Sequence, residues 1–203
     1  MRREILKLAK LLDKYRIKYL IFGGLASTKY GTPRATFDID VVVKKENIPE
    51  NFIEILEKND FKSTEGITHR EFLESQYSVF VIGGNEVDFW MDVDGFNFDD
   101  DSWKHRSDEE IDGVCVHFMS AEDLLVSKLS IIIQTESNHI DIISILMHQA
   151  KNLDVDYFSK RINQFKLEDK LCDLRQRIIE LSEDPEITDL GDVVMVLNKI
   201  CRE

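Results

Sequence analysis

The spacing of hydrophobic and polar residues predicts an amphipathic helix followed by buried strands in the first part of the chain. Residues 2–16 carry apolar side chains at helical spacing. Apolar runs at 19–22 and 38–43 are too short for typical helices and indicate buried strands. Further elements predicted here are a short helix at 25–30, a helix at 50–58, a hairpin at 77–93 with a Gly-Gly-Asn turn, and a strand at 114–119.

The pattern becomes helical from Ser120 onward. Apolar residues recur at helical spacing, and short polar stretches separate one segment from the next. We therefore predict an α+β fold, with a mixed sheet and helices in a core domain of residues 1–119 and a helical C-terminal lobe in residues 120–203. The predicted helices of this lobe lie at about 120–134, 137–150, 155–165, 168–182 and 188–201.

Composition indicates an ordinary globular protein with an acidic balance. The 203 residues are 43% hydrophobic and 32% charged, with a formal net charge of −13. Because proteins that coat a nucleic acid backbone are usually basic, generic DNA binding is disfavoured, although RNA could still be bound at a local patch. The three separated cysteines predict reduced thiols. Without a signal peptide or a long apolar run, we expect a cytoplasmic protein that does not contact a membrane.

Two acidic residues interrupt the apolar run at 38–43. Asp38 and Asp40 should project from one face of this strand, because side chains alternate along a strand. Two carboxylates ~7 Å apart on one face repel each other unless a cation lies between them. A solvated strand end would explain an isolated pair, but the following Val41, Val42 and Val43 favour a central strand. The pattern therefore predicts a site for a hard divalent cation such as Mg²⁺.

Gly23 and Gly24 add a second feature, because they lie between a predicted strand and a predicted helix. Backbone amides at such a position suit phosphate binding. Most Gly-Gly pairs are only turns, so the prediction depends on the nearby Asp38 and Asp40. A phosphate-binding loop beside a Mg²⁺ site is what an enzyme needs to bind a nucleoside triphosphate (NTP).

A third carboxylate should complete the metal site, and the predicted hairpin offers two. Asp88 and Asp92 both lie in the apolar run at 85–93, and alternation along a strand predicts that they share one strand face. From spacing alone, either residue could reach the metals if its strand lay next to the strand of Asp38 and Asp40.

These motifs together resemble the nucleotidyltransferase superfamily typified by DNA polymerase β. The string Gly23-Gly24-Leu25-Ala26, Tyr30-Gly31, Arg34, Thr36 and Asp38-Ile39-Asp40 is most similar to the AbiE-type toxin nucleotidyltransferases and related uncharacterised branches. The resemblance covers about residues 18–145, with the downstream stretches SAEDLLVSKL (120–129) and HIDII (139–143) as weaker motifs. The second of these lacks the basic residue that usually precedes the last aspartate.

The resemblance implies a role for each of eight residues. Asp38, Asp40 and Asp88 would hold two Mg²⁺ ions, and Asp88, preferred over Asp92, would also help to deprotonate the acceptor. The residues that would bind the nucleotide are Gly23, Gly24, Arg34, Lys128 and, on the weakest motif, Asp141.

Lys128 also stands out by its position in the predicted helix 120–134. It falls within the apolar face, so its ammonium group must either reach solvent along its aliphatic stem or meet an anion. Spacing alone does not separate these two outcomes. Asp141 falls on a stripe with Ser144 and His148, which could line a cleft or face solvent.

The acceptor is predicted less specifically than the reaction. By resemblance, the enzyme would transfer a nucleoside monophosphate from an NTP to RNA, such as a tRNA end, as the toxin partner of an antitoxin protein. An excess of cations in residues 158–177 could contact that RNA. The alternatives are an aminoglycoside-type small-molecule nucleotidyltransferase, which an acidic cleft would suit, and a nucleotide-binding regulatory protein without turnover.

The remaining polar residues predict no further site. The five histidines form no HxH or HExxH pattern, so the sequence predicts no zinc site. His69 and Arg70 are expected in a surface loop, and the phenylalanine and tryptophan side chains are expected in the core.

Overall fold

The structure of the chain is a computed structural model that describes residues 1–93, 95–132, 135–183 and 190–201. The last two residues of the predicted helix 120–134 and the first two of the predicted helix 188–201 lie outside the described residues. The described residues group into two compact units. The first comprises Met1–Ala26, Arg34–Val93 and Asn97–Ser120, and the second comprises Ser27–Pro33, Asp94–Phe96 and Ala121–Glu203.

The first part of the chain alternates short helices and strands, as the residue pattern predicts for an α+β fold. A 3-10 turn at Lys45–Asn47 follows the second strand. In chain order the elements are α1 (Arg2–Lys14), β1 (Tyr19–Ile21), α2 (Gly23–Tyr30), β2 (Asp38–Val43), α3 (Phe52–Lys58), β3 (Lys62–Ser63), α4 (His69–Ser75), β4 (Tyr77–Ile82), β5 (Asn85–Trp90), β6 (Asp92–Val93), β7 (Phe96–Asn97), α5 (Asp100–His105), β8 (Ser107–Ile111) and β9 (Val114–Phe118).

Seven of these strands form one mixed sheet in the order β3-β4-β5-β2-β1-β9-β8. Strand β2 is central, antiparallel to β1 and parallel to β5. Its apolar side chains Ile39, Val41 and Val43 are fully buried, which fits the alternation predicted for this strand. The parallel pairing of β2 with β5 places Asp40 directly beside Asp88.

Aromatic side chains fill the core on one half of this sheet. Phe52 of α3 stacks on Phe72 of α4 with ring centroids 5.7 Å apart, and it meets Phe89 of β5 edge-on at 5.6 Å. Phe80 of β4 contacts the same Phe89 ring at 5.4 Å. Offset and edge-on pairs of this kind add stability beyond the buried area alone. They hold β4 and β5 firmly, and therefore fix the strand that carries Asp88.

The second unit is helical, as predicted. Its helices are held by an ion pair within the core as well as by apolar packing. Arg161 donates a 2.7 Å hydrogen bond to Asp123, and both side chains are fully buried. The hydroxyl of Tyr157 donates to the other oxygen of Asp123 at 2.9 Å. The helices are α6 (Ala121–Ser130), α7 (Glu136–Gln149), α8 (Val155–Phe165), α9 (Glu168–Ser182) and α10 (Gly191–Ile200).

Several local predictions were wrong. His69 and Arg70 begin helix α4 rather than lying in a loop. Thr68 and Glu71 form a capping box there, a signal that the sequence contains. Strand β8 was missed because its acidic residues do not alternate with apolar ones. The structure also contains β3, β6, β7 and α5, which the spacing did not predict, and α6 ends at Ser130 rather than near residue 134.

Candidate active site

Three carboxylates meet where β2 and β5 run side by side. Asp38 and Asp40 project from the same face of β2, and the parallel register brings Asp88 of β5 next to Asp40. One carboxylate oxygen of each residue lies within 4.8 Å of the others. Three negative groups at this separation repel one another, so the arrangement favours a bound cation.

The pKa of the Asp88 carboxyl reflects this repulsion. Burial raises the pKa of the Asp88 carboxyl above its ordinary value, and the nearby charges of Asp38 and Glu86 raise it further. A hydrogen bond from Tyr77 acts in the opposite direction and lowers this pKa. The ionised form of Asp88 is therefore disfavoured unless a positive charge compensates for its neighbours.

One oxygen of Asp88 indicates where a cation would bind. Oδ1 of Asp88 is buried and finds no hydrogen-bond partner among the described residues. A buried carboxylate oxygen without a partner costs free energy, so such atoms usually have a function or an unseen ligand. The oxygen-only donor set of Asp38, Asp40 and Asp88 fits Mg²⁺ or Mn²⁺.

Gly23 lies against this carboxylate cluster. Its φ is +57°, a conformation that favours glycine, and a Cβ placed on it would overlap the carboxylate of Asp40. Gly24 is similarly crowded, since its Cβ would lie 2.5 Å from Oγ1 of Thr36. Both glycines lie in the first turn of α2, so the start of this helix lies against the cluster.

The residues between α2 and β2 support the cluster from the other side. Thr36 donates a 2.7 Å hydrogen bond from Oγ1 to Oδ1 of Asp38. Arg34 is exposed, and its guanidinium would lie 3.7 Å from a Cβ on Gly24. The structure thus places Gly23 against Asp40, and Gly24 close to Thr36 and Arg34. Phosphate binding by Gly23, Gly24 and Arg34 stays a prediction.

Replacing Gly23 by alanine is expected to weaken both the fold and metal binding. The φ of +57° strains an alanine, and its Cβ would displace Asp40, so we expect unfolding to become easier by ~1–3 kcal/mol. Urea unfolding and calorimetric titration with Mn²⁺ measure the two effects. Gly66→Ala is the matched control, because Gly66 has a φ of +67° but open space around its Cβ position. An equal loss of Mn²⁺ affinity in both variants would contradict the assignment.

Asp92 does not belong to this cluster. Strand β5 ends at Trp90, and Asp92 begins the separate short strand β6, so the prediction that Asp88 and Asp92 share one strand face was wrong. Of these two aspartates, Asp88 is the one whose oxygens approach Asp38 and Asp40.

Lys128 and Asp141 contact each other within the helical unit. Nζ of Lys128 lies 2.9 Å from Oδ2 of Asp141, and their side chains are only 9% and 7% exposed. Asn138 accepts a second bond from Nζ at 3.3 Å and donates to the backbone oxygen of Lys128 at 3.1 Å. The lysine therefore meets an anion, as its place on an apolar face required, and that anion is Asp141. Nucleotide binding by this pair stays a prediction.

Two residues near the cluster were missed by reasoning from the sequence. Tyr77 lies close enough to Asp88 to lower the pKa of its carboxyl, and it packs against Trp90 with ring centroids 4.2 Å apart. Phe37 was expected in the core with the other phenylalanines, yet its side chain is 84% exposed immediately before Asp38. Phe37 lies between the polar residues Thr36 and Asp38, just before the apolar run of β2, and this position is the signal that could have indicated its exposure.

The raised pKa of Asp88 predicts how metal binding depends on pH. A metal ligand must be ionised, so Mn²⁺ affinity should begin to fall at a pH above the ordinary range for aspartate. Without metal, the stability of the folded protein changes with pH in the direction opposite to that of Mn²⁺ affinity. A raised carboxyl pKa lowers stability as pH rises through it, and Asp88→Asn should remove this dependence. Mn²⁺ titrations and thermal unfolding across the acid range measure both, and parallel pH profiles for the parent and Asp88→Asn would contradict the prediction.

Comparison with known proteins agrees with this fold. Residues 1–180 match the family described as nucleotidyl transferase of unknown function (DUF2204), and the chain belongs to that family. The protein is therefore a nucleotidyltransferase, and the predicted superfamily is confirmed. The AbiE-type branch stays a prediction.

Solved structures show the same fold at low sequence identity. An antigenic nucleotidyltransferase-like protein from Paracoccidioides brasiliensis is 21% identical, with a TM-score of 0.54 over 89% of this chain and 91% of that one. The antibiotic-resistance factor ANT(2'')-Ia in complex with adenylyl-2''-tobramycin is 16% identical, with a TM-score of 0.51 over 79% of this chain and 93% of that one. No curated protein matches significantly. Among the described residues, no helix has the length and apolar character needed to cross a membrane.

Proposed function

We propose that this nucleotidyltransferase transfers a nucleoside monophosphate from an NTP to an acceptor hydroxyl with the help of two Mg²⁺ ions. The observation that carries the proposal is the cluster of Asp38, Asp40 and Asp88, together with the unpartnered buried oxygen of Asp88. The ions would supply Lewis-acid stabilisation of the charge on the phosphates.

Each residue of the site has a proposed part in this reaction. Asp38 and Asp40 hold the metals, and Thr36 orients Asp38 through its 2.7 Å hydrogen bond. Asp88 would hold the second metal and help to accept the proton of the acceptor hydroxyl. The amides at Gly23 and Gly24 bind phosphate oxygens, and Arg34 orients them.

RNA is the acceptor that we propose first, in the role of a toxin with a cognate antitoxin partner. The proposal is supported by the resemblance to the AbiE-type enzymes and by exposed cations in residues 158–177. That segment offers fewer free charges than its composition suggests. Arg161 is buried against Asp123, and Nζ of Lys170 donates to the backbone oxygens of Leu129, Ser130 and Ile131. Among the remaining cations, Lys160, Lys166 and Arg177 are exposed.

A cationic small molecule is the second candidate acceptor. The net charge of −13 favours attraction of a polycation over attraction of RNA. For either acceptor we propose a cytoplasmic location, where NTPs are available and the free thiols of Cys115, Cys172 and Cys201 would stay reduced.

Labelled nucleotides distinguish these candidates directly. The protein is incubated with Mg²⁺, one NTP labelled at its α-phosphate, and either total RNA or a panel of aminoglycosides. We expect the label to move to RNA with at least one of the four NTPs, and transfer to an aminoglycoside would instead support the second candidate. Absence of transfer to every acceptor, from protein that binds Mn²⁺ and NTP normally, would contradict the proposed activity and favour the regulatory alternative.

A further inference from the structure

A second group of ligand-bearing side chains lies at the β8–β9 edge of the sheet, with strand β1 between β9 and the strand of Asp38 and Asp40. Asp108 of β8 stands directly opposite His117 of β9, and Cys115 lies two residues before His117 on the same face. Nδ1 of His117 is 2.6 Å from Oδ1 of Asp108 and 3.8 Å from Sγ of Cys115. All three ligand atoms lie within 4.8 Å of one another.

The ring of His117 is held in one orientation by its surroundings. The other ring nitrogen, Nε2, lies 3.5 Å from Oδ1 of Asp13 at the end of α1. Tyr19 and Trp103 flank the ring, each with its centroid 5.1 Å away. His117 is 8% exposed, so this packing leaves Nδ1 directed toward Asp108 and Cys115.

We infer that Asp108, Cys115 and His117 form a binding site for a transition metal of the Zn²⁺ class. A thiolate, an imidazole and a carboxylate are the donors that Zn²⁺ takes in proteins, whereas Mg²⁺ avoids thiolate. Asp13 supplies the carboxylate that receives Nε2–H of a metal-bound histidine and fixes its tautomer. Three protein ligands leave a fourth position for water or another ligand.

Metal binding would replace protons that now hold the group together. In the metal-free protein a proton bridges Nδ1 of His117 and Oδ1 of Asp108, and the thiol of Cys115 keeps its own proton. Binding of one Zn²⁺ at Nδ1 moves the ring proton to Nε2, where Asp13 accepts its hydrogen bond, and releases the thiol proton of Cys115 to solvent.

Arg106 is a positively charged side chain next to the site, and its charge disfavours binding of a metal cation at Asp108. Its guanidinium contacts both oxygens of Asp108, at 2.8 and 2.9 Å, and lies 4.0 Å above the Trp103 ring. Each carboxylate oxygen accepts two bonds, so Oδ1 of Asp108 can bind a metal while Arg106 stays in place. The positive charge of Arg106 lowers the affinity of the site without blocking it.

The sequence predicted no zinc site because the usual patterns place their ligands close together on one helix or loop. Here Cys115 and His117 form a Cys-x-His pair on one strand, and the third ligand comes from the neighbouring strand. Only the antiparallel register, in which Asp108 pairs with His117, brings that ligand into range.

Cobalt is a suitable probe, because Co²⁺ can occupy Zn²⁺ sites. Its thiolate-to-cobalt charge-transfer band appears only when a thiolate binds the metal. The full-length protein is titrated with Co²⁺ in excess Mg²⁺, which fills the β2–β5 carboxylates. We expect one equivalent of Co²⁺ to produce a thiolate-to-cobalt band, which Zn²⁺ then removes by displacement. Absence of this band in the parent protein would overturn the inference.

Variants assign the band to this site. Cys115→Ser is expected to abolish it, and Asp108→Asn to weaken Co²⁺ binding by at least ~10-fold. Both residues are exposed, so neither variant should fail to fold. Cys172→Ser is the matched control, because Cys172 is an exposed thiol on α9. A band that persists in Cys115→Ser or disappears in Cys172→Ser would place the thiolate elsewhere and overturn the inference. Asp38→Asn should keep the band, so this result does not depend on the proposed transferase activity.

Discussion

Asp38→Asn is expected to lower the rate of nucleotidyl transfer by at least ~10²-fold while the protein stays folded. Changes to residues that merely orient metal ligands already cost 10–100-fold, so loss of a ligand charge should cost at least as much. Asparagine can still accept the hydrogen bond of Thr36 through its amide oxygen, which preserves the local structure. Removing one of three clustered negative charges should leave the thermal midpoint unchanged or raise it.

The rate is measured with labelled NTP and whichever acceptor is modified by the parent enzyme. Asp92→Asn is the control, because Asp92 is an aspartate close in sequence that lies outside the cluster on β6. Its activity should stay within a few-fold of the parent. If Asp38→Asn retained full activity, or if Asp92→Asn were the more damaging change, the assignment of the metal ligands would be wrong.

The half of this site that lies on one strand could be predicted from the sequence. Alternation along β2 places Asp38 and Asp40 on one face, and the Gly-Gly pair before a helix indicates close approach of the backbone. The third ligand could not be chosen in the same way. Asp88 was preferred through a resemblance to a family, because spacing alone allowed Asp92 equally.

The missing information is the register between distant strands. Strands β2 and β5 are parallel and far apart in sequence, so no short turn fixes which residues pair. The pairing of Asp40 with Asp88 depends on how Phe52, Phe72 and Phe89 pack the helices onto the sheet. Strand β5 also ends at Trp90, which removes Asp92 from the face that the sequence predicted.

The same limit applies to Lys128. Helical spacing predicted that its ammonium group lies on an apolar face and needs an anion or a route to solvent. It could not predict that Asp141, 13 residues away on α7, supplies that anion at 2.9 Å. Lys128 and Asp141, which were assigned separately to nucleotide binding, therefore contact each other. Each side chain provides the opposite charge that the other needs within the helical unit.

Arg161→Met is expected to lower the free energy of unfolding by about 3–5 kcal/mol. Arg161 and Asp123 are both fully buried, and the guanidinium also lies 4.8 Å from the ring centre of Phe165 and 5.2 Å from that of Phe96. Methionine keeps much of the apolar packing but leaves the charge of Asp123 without its partner. Urea unfolding measures the loss. Lys160→Met is the control, because this neighbouring lysine is exposed and its replacement should change stability by less than ~0.5 kcal/mol.

A double variant separates the buried charge from the lost packing. In Arg161→Met with Asp123→Asn, residue 123 is neutral and its amide oxygen can still accept the hydrogen bond of Tyr157. We expect this double variant to be more stable than Arg161→Met alone, because the unpaired buried charge is the larger part of the cost. If the double variant were no more stable than the single one, the unpaired charge of Asp123 would not be the larger part of the cost. If Arg161→Met cost less than ~1 kcal/mol, the pair would not hold the helical unit together.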